Sequence, residues 1–284
     1  MITSPMHGTH RHTAEFPVVQ RTGIRFFRSV GHVGMEAMAD LGERVYFLRD
    51  VLRAFANEWR TYLPLTAAQM RRIGVDSLPL TAIVAAFIGS VIALQTRYQL
   101  FPGVQLSVVG LISRQMIILE LGPLLTGLVL TGRVGARMTA EIGTMRVTEQ
   151  IDALETLSYD PVAYLVVPRV IAATLMLPFL VIFANAIGVT TAAFTAMTAT
   201  DVTWQQFSEG LRMSYTFFQI GYSLIKATIF GTAIAFLCSF EGYITDVGAE
   251  GVGRSTAKAV VVTSVAILVL DALTASLLAN QLQG

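Results

Sequence analysis

Charge is scarce in this sequence. Of 284 residues only 14% are Asp, Glu, Lys or Arg, against 54% hydrophobic, and the mean hydropathy is +0.61. Soluble domains carry about 25% charged residues, so an ordinary water-soluble core is excluded first. Lysine is nearly absent, with Lys226 and Lys258 alone, and a net charge of +1 offers no basic surface for nucleic acid. Cys238 is the only cysteine and lies in an apolar run, which rules out an intramolecular disulfide or a thiolate metal cluster. Histidine stops at His32, so no Ser–His dyad can form in the apolar segments, and no H-E-x-x-H zinc motif occurs. An intramembrane hydrolase has nothing to work with. No G-x-x-x-x-G-K-[ST] loop is present either, so this chain does not bind ATP in the P-loop manner on its own. The Gly248–Gly253 cluster lacks the Lys-Ser/Thr pair and a preceding strand, and reads as a flexible turn. Residues 1–40 lack the roughly 7–15-residue apolar core of a secretory signal. His7, His10 and His12 in that stretch have nothing near them to fix a metal geometry, and a polar tail is the plainer reading. Catalytic, metal and cofactor sites are all expected to be absent from this chain.

What is abundant is long apolar runs. Five stand out, at about 78–96, 115–132, 162–197, 215–240 and 259–279. Each approaches or exceeds the roughly 20 residues that cross a bilayer as a helix, and open strands would leave backbone groups unpaired in lipid. Pro168 and Pro178 are expected kinks in the third. Before them, residues 41–63 place Leu41, Val45, Leu48, Leu52, Phe55, Trp59 and Tyr62 on one helical face, with Arg44, Arg49, Arg53 and Arg60 elsewhere. An aromatic stripe beside arginines suits a helix lying at the membrane–water interface; a short soluble helix or coiled-coil seam is the alternative. Pro64 is expected to end or kink it. The chain then divides into a polar tail (1–40), an interfacial region (41–77) and a transmembrane domain (78–284). With the N-terminus in the cytoplasm, 16 of the 20 Lys and Arg fall on the inner side, in agreement with the positive-inside rule. The C-terminus is then outside, and the outer loops 97–114 and 198–214 are short, the latter suiting a small surface helix.

Between the second and third runs lies the polar stretch TGRVGARMTAEIGTMRVTEQIDALETLSYDP, Thr131 to Pro161. Thr148 is a plausible N-cap, with Glu149, Gln150 and Asp152 in the first turn. Ile151, Leu154 and Leu157 give a small apolar stripe, and Asp160-Pro161 closes the segment. Such a helix is either a knob for a groove on another protein or an ordinary solvated connector. Inside the membrane runs stand Glu120, Lys226 and Asp271. A charge near a bilayer centre costs on the order of 3 kcal/mol, so these face the protein interior, a partner or a wet cavity. They contact an anionic headgroup, gate a cavity, or form a buried structural pair.

The central stretch resembles the signature of the MlaE permeases, also called the YrbE or Mce-associated permease family. The likeness extends over roughly 41–280, through LGPLLTGLVLTGR, NAIG, LIKATIFG and VLD. It implies an all-α integral membrane protein, with an N-terminal interfacial amphipathic helix, five transmembrane helices and a cytoplasmic coupling helix between the second and third. It implies the permease subunit of an ABC transporter moving phospholipids between bacterial membranes, not itself an enzyme, in the inner membrane as a homodimer. Implied partners are a cytoplasmic MlaF-like ATPase that binds the ATP, a periplasmic MlaD-like MCE-domain protein, a STAS-domain regulator (MlaB-like) and phospholipid. On this resemblance Glu141, Thr148, Glu149, Gln150, Ile151, Asp152, Leu154 and Glu155 form the ATPase-coupling surface, and Glu120, Lys226 and Asp271 line or gate the cavity. Relatives often carry Arg immediately before this Glu, where Leu119 stands here; Arg114 is too far along the helix to replace it. The alternative is an ion- or proton-coupled secondary transporter using the same three charges, against which no inverted repeat is evident.

Overall fold

The computed structural model describes residues 42–56, 62–246 and 248–282. The polar tail with His7, His10 and His12 lies outside them, as do Leu41, Trp59 and Arg60. The chain separates into residues 1–47 and a main unit, 48–284. The described residues of the first unit, 42–47, are helical.

Helices α1 (42–56), α2 (Leu63–Gln99), α3 (Ser107–Val147), α4 (Gln150–Thr156), α5 (Val162–Ala199), α6 (Trp204–Arg212), α7 (Phe217–Tyr243) and α8 (Ala249–Leu282) make up the fold, with no strand among the described residues. Five of them (α2, α3, α5, α7 and α8) are long and apolar enough to cross a membrane. The protein is an all-helical, multi-pass membrane protein. On α1 the expected stripe is present but outward-facing: Val45, Leu48, Leu52 and Phe55 are exposed, whereas Val51 and Ala54 are buried. Apolar residues face lipid as readily as core, so periodicity located the stripe without saying which medium it meets.

Several boundaries differ from expectation. Pro64 starts a helix: it sits in the first turn of α2, where its missing N–H costs nothing. The helix then turns at Gly74 through Val75–Ser77 into the apolar segment Leu78–Gln99. The second crossing is far longer than its apolar run. It begins at Ser107, inside the expected outer loop, and continues through the polar residues to Val147. Arg133, Arg137 and Glu141 stand four apart, which is helical spacing, and Arg137 pairs with Glu141 at 2.8 Å. The Gly251 and Gly253 cluster is no flexible turn, because α8 already begins at Ala249. The proposed small outer helix exists as α6, closed by a reciprocal Thr203–Gln206 capping box. Its Phe207 is fully buried in a cluster with Ile92, Val109, Ile117 and Val202.

Helices in lipid gain little from hydrophobic burial against one another and pack instead through small residues. Ala85, Gly89 and Ala93 on α2 are spaced four apart and buried, as are Gly188, Ala192 and Ala196 on α5. A Cβ on Gly89 would lie 2.0 Å from the Gly188 carbonyl oxygen, so the two backbones all but touch. Thr195 donates to Ser90 across this seam at 3.0 Å. A second core joins Leu130, Val134, Leu177, Phe230, Ile234 and Ile267 from α3, α5, α7 and α8.

Candidate functional site

Three charges spread over 152 residues of sequence, from Glu120 to Asp271, meet in the membrane-spanning bundle. The Lys226 ammonium on α7 lies 2.8 Å from Glu120 Oε2 on α3 and 2.6 Å from Asp271 Oδ1 on α8. It also donates to the Leu119 carbonyl at 3.4 Å and sits 5.1 Å from the Tyr222 ring centroid. The backbone explains that carbonyl. Residues Met116–Leu121 form a wide π-type turn, and Pro123 has no N–H to give back to Leu119 four residues earlier. An acceptor is thereby released where the lysine needs one. Lys226 is fully buried and the Asp271 side chain is 10% exposed, but Glu120 is 43% exposed. The cluster carries one positive and two negative charges, and Glu120 is its open edge.

Three residues before Lys226 on α7, Ser223 accepts from Asn185 on α5 at 3.1 Å. A Cβ on Gly122 would meet Asn185 Oδ1 at 2.0 Å, so glycine there lets α3 approach. Arg114 is elsewhere: it is buried, donates to the Leu211 carbonyl at 2.6 Å, and lies over the Tyr215 ring, where it holds α6. It does not stand in for an arginine beside Glu120.

The other expected site residues lie at the opposite end of α3. Thr148 is not an N-cap. It closes α3, with its hydroxyl donating back to the Thr144 carbonyl at 2.8 Å. Glu149 takes a left-handed conformation (φ 60°) and precedes α4, so the turn between the helices is strained at a residue with a Cβ. Arg146 clamps α3 to α4 through Asp152 at 2.8 Å. Gln150 donates to Thr148 at 3.0 Å. Ile151 anchors α4 and is fully buried; Leu154 is half-buried over a cavity of about 360 Å³ shared with Met145 and Tyr164. Leu157 is exposed, as are Glu149, Gln150, Asp152 and Glu155. Asp160 accepts from the amides of Val162 and Ala163 and so starts α5. Glu141 is apart from this surface. It faces Arg137, Arg169 and Arg72 at 2.8, 3.3 and 3.9 Å, and joins α3 to α2 and α5.

Sequence reading missed the Arg72–Glu141–Arg169 junction, Asn185–Ser223, and the buried Glu241 that pairs with Lys258 at 3.1 Å. The last mirrors Lys226–Asp271: across α7 and α8, one pair has its lysine on α7 and the other on α8. A buried acid and the second of only two lysines were the available signal.

The family model described as Permease MlaE matches residues 66–277. A probable ABC transporter permease protein of Rickettsia prowazekii is 42% identical over 218 residues, covering 73% of this chain and 80% of its own. The intermembrane phospholipid transport system permease protein MlaE of Haemophilus influenzae is 31% identical over 252 residues, 87% of this chain and 91% of its own. A chloroplastic protein of Arabidopsis thaliana, TRIGALACTOSYLDIACYLGLYCEROL 1, is 33% identical over 214 residues, 75% of this chain and 60% of its own. With five apolar crossings, the polar string between the second and third, and a match over three quarters of its length, the chain belongs to the MlaE permease family.

Proposed function

We propose that this chain is the permease subunit of an ABC transporter that moves phospholipids between the inner and outer membranes, driven by ATP hydrolysis on a separate cytoplasmic chain. The single observation that carries the reading is the likeness, over most of both chains, to a protein named for intermembrane phospholipid transport. The ABC permease names of other relatives favour it over an ion-coupled carrier built on the same three charges. The protein sits in the inner membrane with its N-terminus cytoplasmic and its C-terminus periplasmic, which puts 16 of 20 basic residues inside. Residues 1–40 are a tail, 41–77 lie at the interface and 78–284 form the permease domain. Two copies assemble with an MlaF-like ATPase, an MlaD-like MCE-domain ring and an MlaB-like STAS regulator. ATP stays on the ATPase, and this chain carries no cofactor of its own.

In this reading the ATPase engages α4 through Asp152, Leu154 and Glu155 and the turn residues Thr148–Gln150. The Arg146–Asp152 clamp passes its displacement to α3, and the Asp160 cap passes it to α5. The Glu141 junction makes α2, α3 and α5 move together. Glu120 rides on α3, whereas Lys226 and Asp271 sit on α7 and α8, so this motion draws the open acid away from a fixed buried pair. Three oxygens already surround the Lys226 ammonium within 3.4 Å, which favours a gate over a headgroup contact: the lysine must release Glu120 before it can bind a phosphate. The cavity between protomers would then close on the lipid. The test is ATP hydrolysis by the purified complex carrying Asp152→Lys with Leu154→Lys. Coupling through α4 predicts loss of most of the activity with the chain still folded; normal hydrolysis contradicts it.

A further inference from the structure

Around Glu141 the charges do not balance. One carboxylate faces Arg72, Arg137 and Arg169, which leaves two positive charges over. Gln69, Arg72, Glu141 and Arg169 line a cavity of about 380 Å³ whose remaining wall is largely apolar, with Leu65, Met145 and Pro168. Arg133 and Arg137 border a second, narrower recess that shares Gln69, Arg72 and Glu141 with the first. Arg169 is 4% exposed, yet its Nε has no acceptor among the described residues. A buried guanidinium N–H left unpaired is costly, and the half-exposed Arg72 and Arg137 beside it keep the surroundings positive. An anion in the cavity would meet both. Guanidinium forks match phosphate oxygens in particular, and an apolar wall beside them suits an anion that carries hydrocarbon.

We propose that this cavity binds a phosphate anion carried by an anionic phospholipid, at the α4 end of the bundle and apart from the Lys226 centre. The site does not depend on the transport reading; that its lipid comes from the cytoplasmic leaflet rests on the orientation given above. Its occupant would also bear on the drive. Met145, Tyr164 and Leu165 line both this cavity and the one beneath Leu154, so a lipid seated here packs behind α4.

The test is native mass spectrometry of the full chain, delipidated in detergent, with phosphatidylglycerol and phosphatidylcholine in competition. Wild type should hold one phosphatidylglycerol per chain about tenfold more tightly than phosphatidylcholine. Arg72 is half exposed and only 3.9 Å from Glu141, so Arg72→Gln should spare the fold and erase the preference. Gln69 makes none of the ion pairs, and Gln69→Glu should erase it too by placing a second carboxylate in the cavity. Arg72→Lys should keep part of it. Inorganic phosphate that displaces phosphatidylglycerol, and binds alone with the same Arg72 dependence, would overturn the lipid as the source of the anion; no displacement supports it. Equal binding of the two lipids, or a preference unchanged in Arg72→Gln and Gln69→Glu, would overturn the site itself.

Discussion

Two charge clusters in this bundle have opposite composition. Near the middle of α7, one lysine is held by two acids and a carbonyl, all within 3.4 Å. At the far end of α3, one acid is held by three arginines, with a buried N–H left over. The first joins α3 to α7 and α8; the second joins α3 to α2 and α5. Together they make α3 the helix that both sides grip, and they differ in what can let go. In the lysine cluster α3 supplies the exposed Glu120 and the long Leu119 contact, so separation breaks these two and leaves the buried Lys226–Asp271 pair intact. In the arginine cluster the acid is on α3 with Arg137, and separation from α2 and α5 would strip the buried Arg169 of its carboxylate along with the Arg72 contact. A joint that opens and a joint that holds can be told apart by removing each centre.

The largest effect belongs to Lys226→Ala. It leaves the buried Asp271 carboxylate without its cation beside the open Glu120, and about 3–5 kcal/mol of stability should be lost in detergent unfolding. Phospholipid transport should fall without dissociation of the complex; transport at the wild-type level would remove the gating role. Glu141→Gln comes next. Three arginines lose their acid, but the site is partly wet, so about 1–2 kcal/mol is expected from the same unfolding curve. A loss as large as that of Lys226→Ala would erase the distinction between the clusters. Arg146→Ala is smaller again: both partners are well exposed, and under about 1 kcal/mol should be lost, with the effect appearing in ATP hydrolysis instead. Smallest is the exposed Arg97–Asp201 pair. The Arg97 guanidinium holds the Asp201 carboxyl below its ordinary 3.8. Its contribution is therefore present above that value and lost as pH falls through the lower folded value. The melting difference between wild type and Arg97→Gln should be visible near neutrality and vanish in acid.

The crossings were legible in the sequence because apolar runs of that length have no other stable fate. That Glu120, Lys226 and Asp271 turn away from lipid was legible, with a buried pair among the readings left open; that all three meet at Lys226 was not. Helix ends were not. Composition set 131–147 apart as a polar stretch between apolar runs, and it contains Gly132, Gly135 and Gly143. Two of those glycines serve close packing: a Cβ on Gly135 would meet Cys238 Sγ at 2.7 Å, and one on Gly143 would meet Thr245 Oγ1 at 2.8 Å. The four-residue spacing of Arg133, Arg137 and Glu141 was the signal that outweighed them. Thr148 was read as an opening cap because acids follow it, yet a threonine can close the preceding helix equally well through its i−4 carbonyl. Nothing in the sequence revealed the wide turns at Met116–Leu121 and Val162–Val166, although Pro123 and Pro168 follow them. Nor did it reveal Arg72 and Arg169 at one acid, because no local pattern joins residues from three helices.

The most direct test of the opening joint keeps its shape and removes its charge. A chain carrying Glu120→Gln, Lys226→Met and Asp271→Asn leaves no buried ion unpaired, so it should fold and assemble with its ATPase. Phospholipid transfer between vesicles, measured on this complex beside the wild type, should be abolished while ATP hydrolysis persists. Transfer at the wild-type rate would contradict the account, because the three charges would then be only a structural contact.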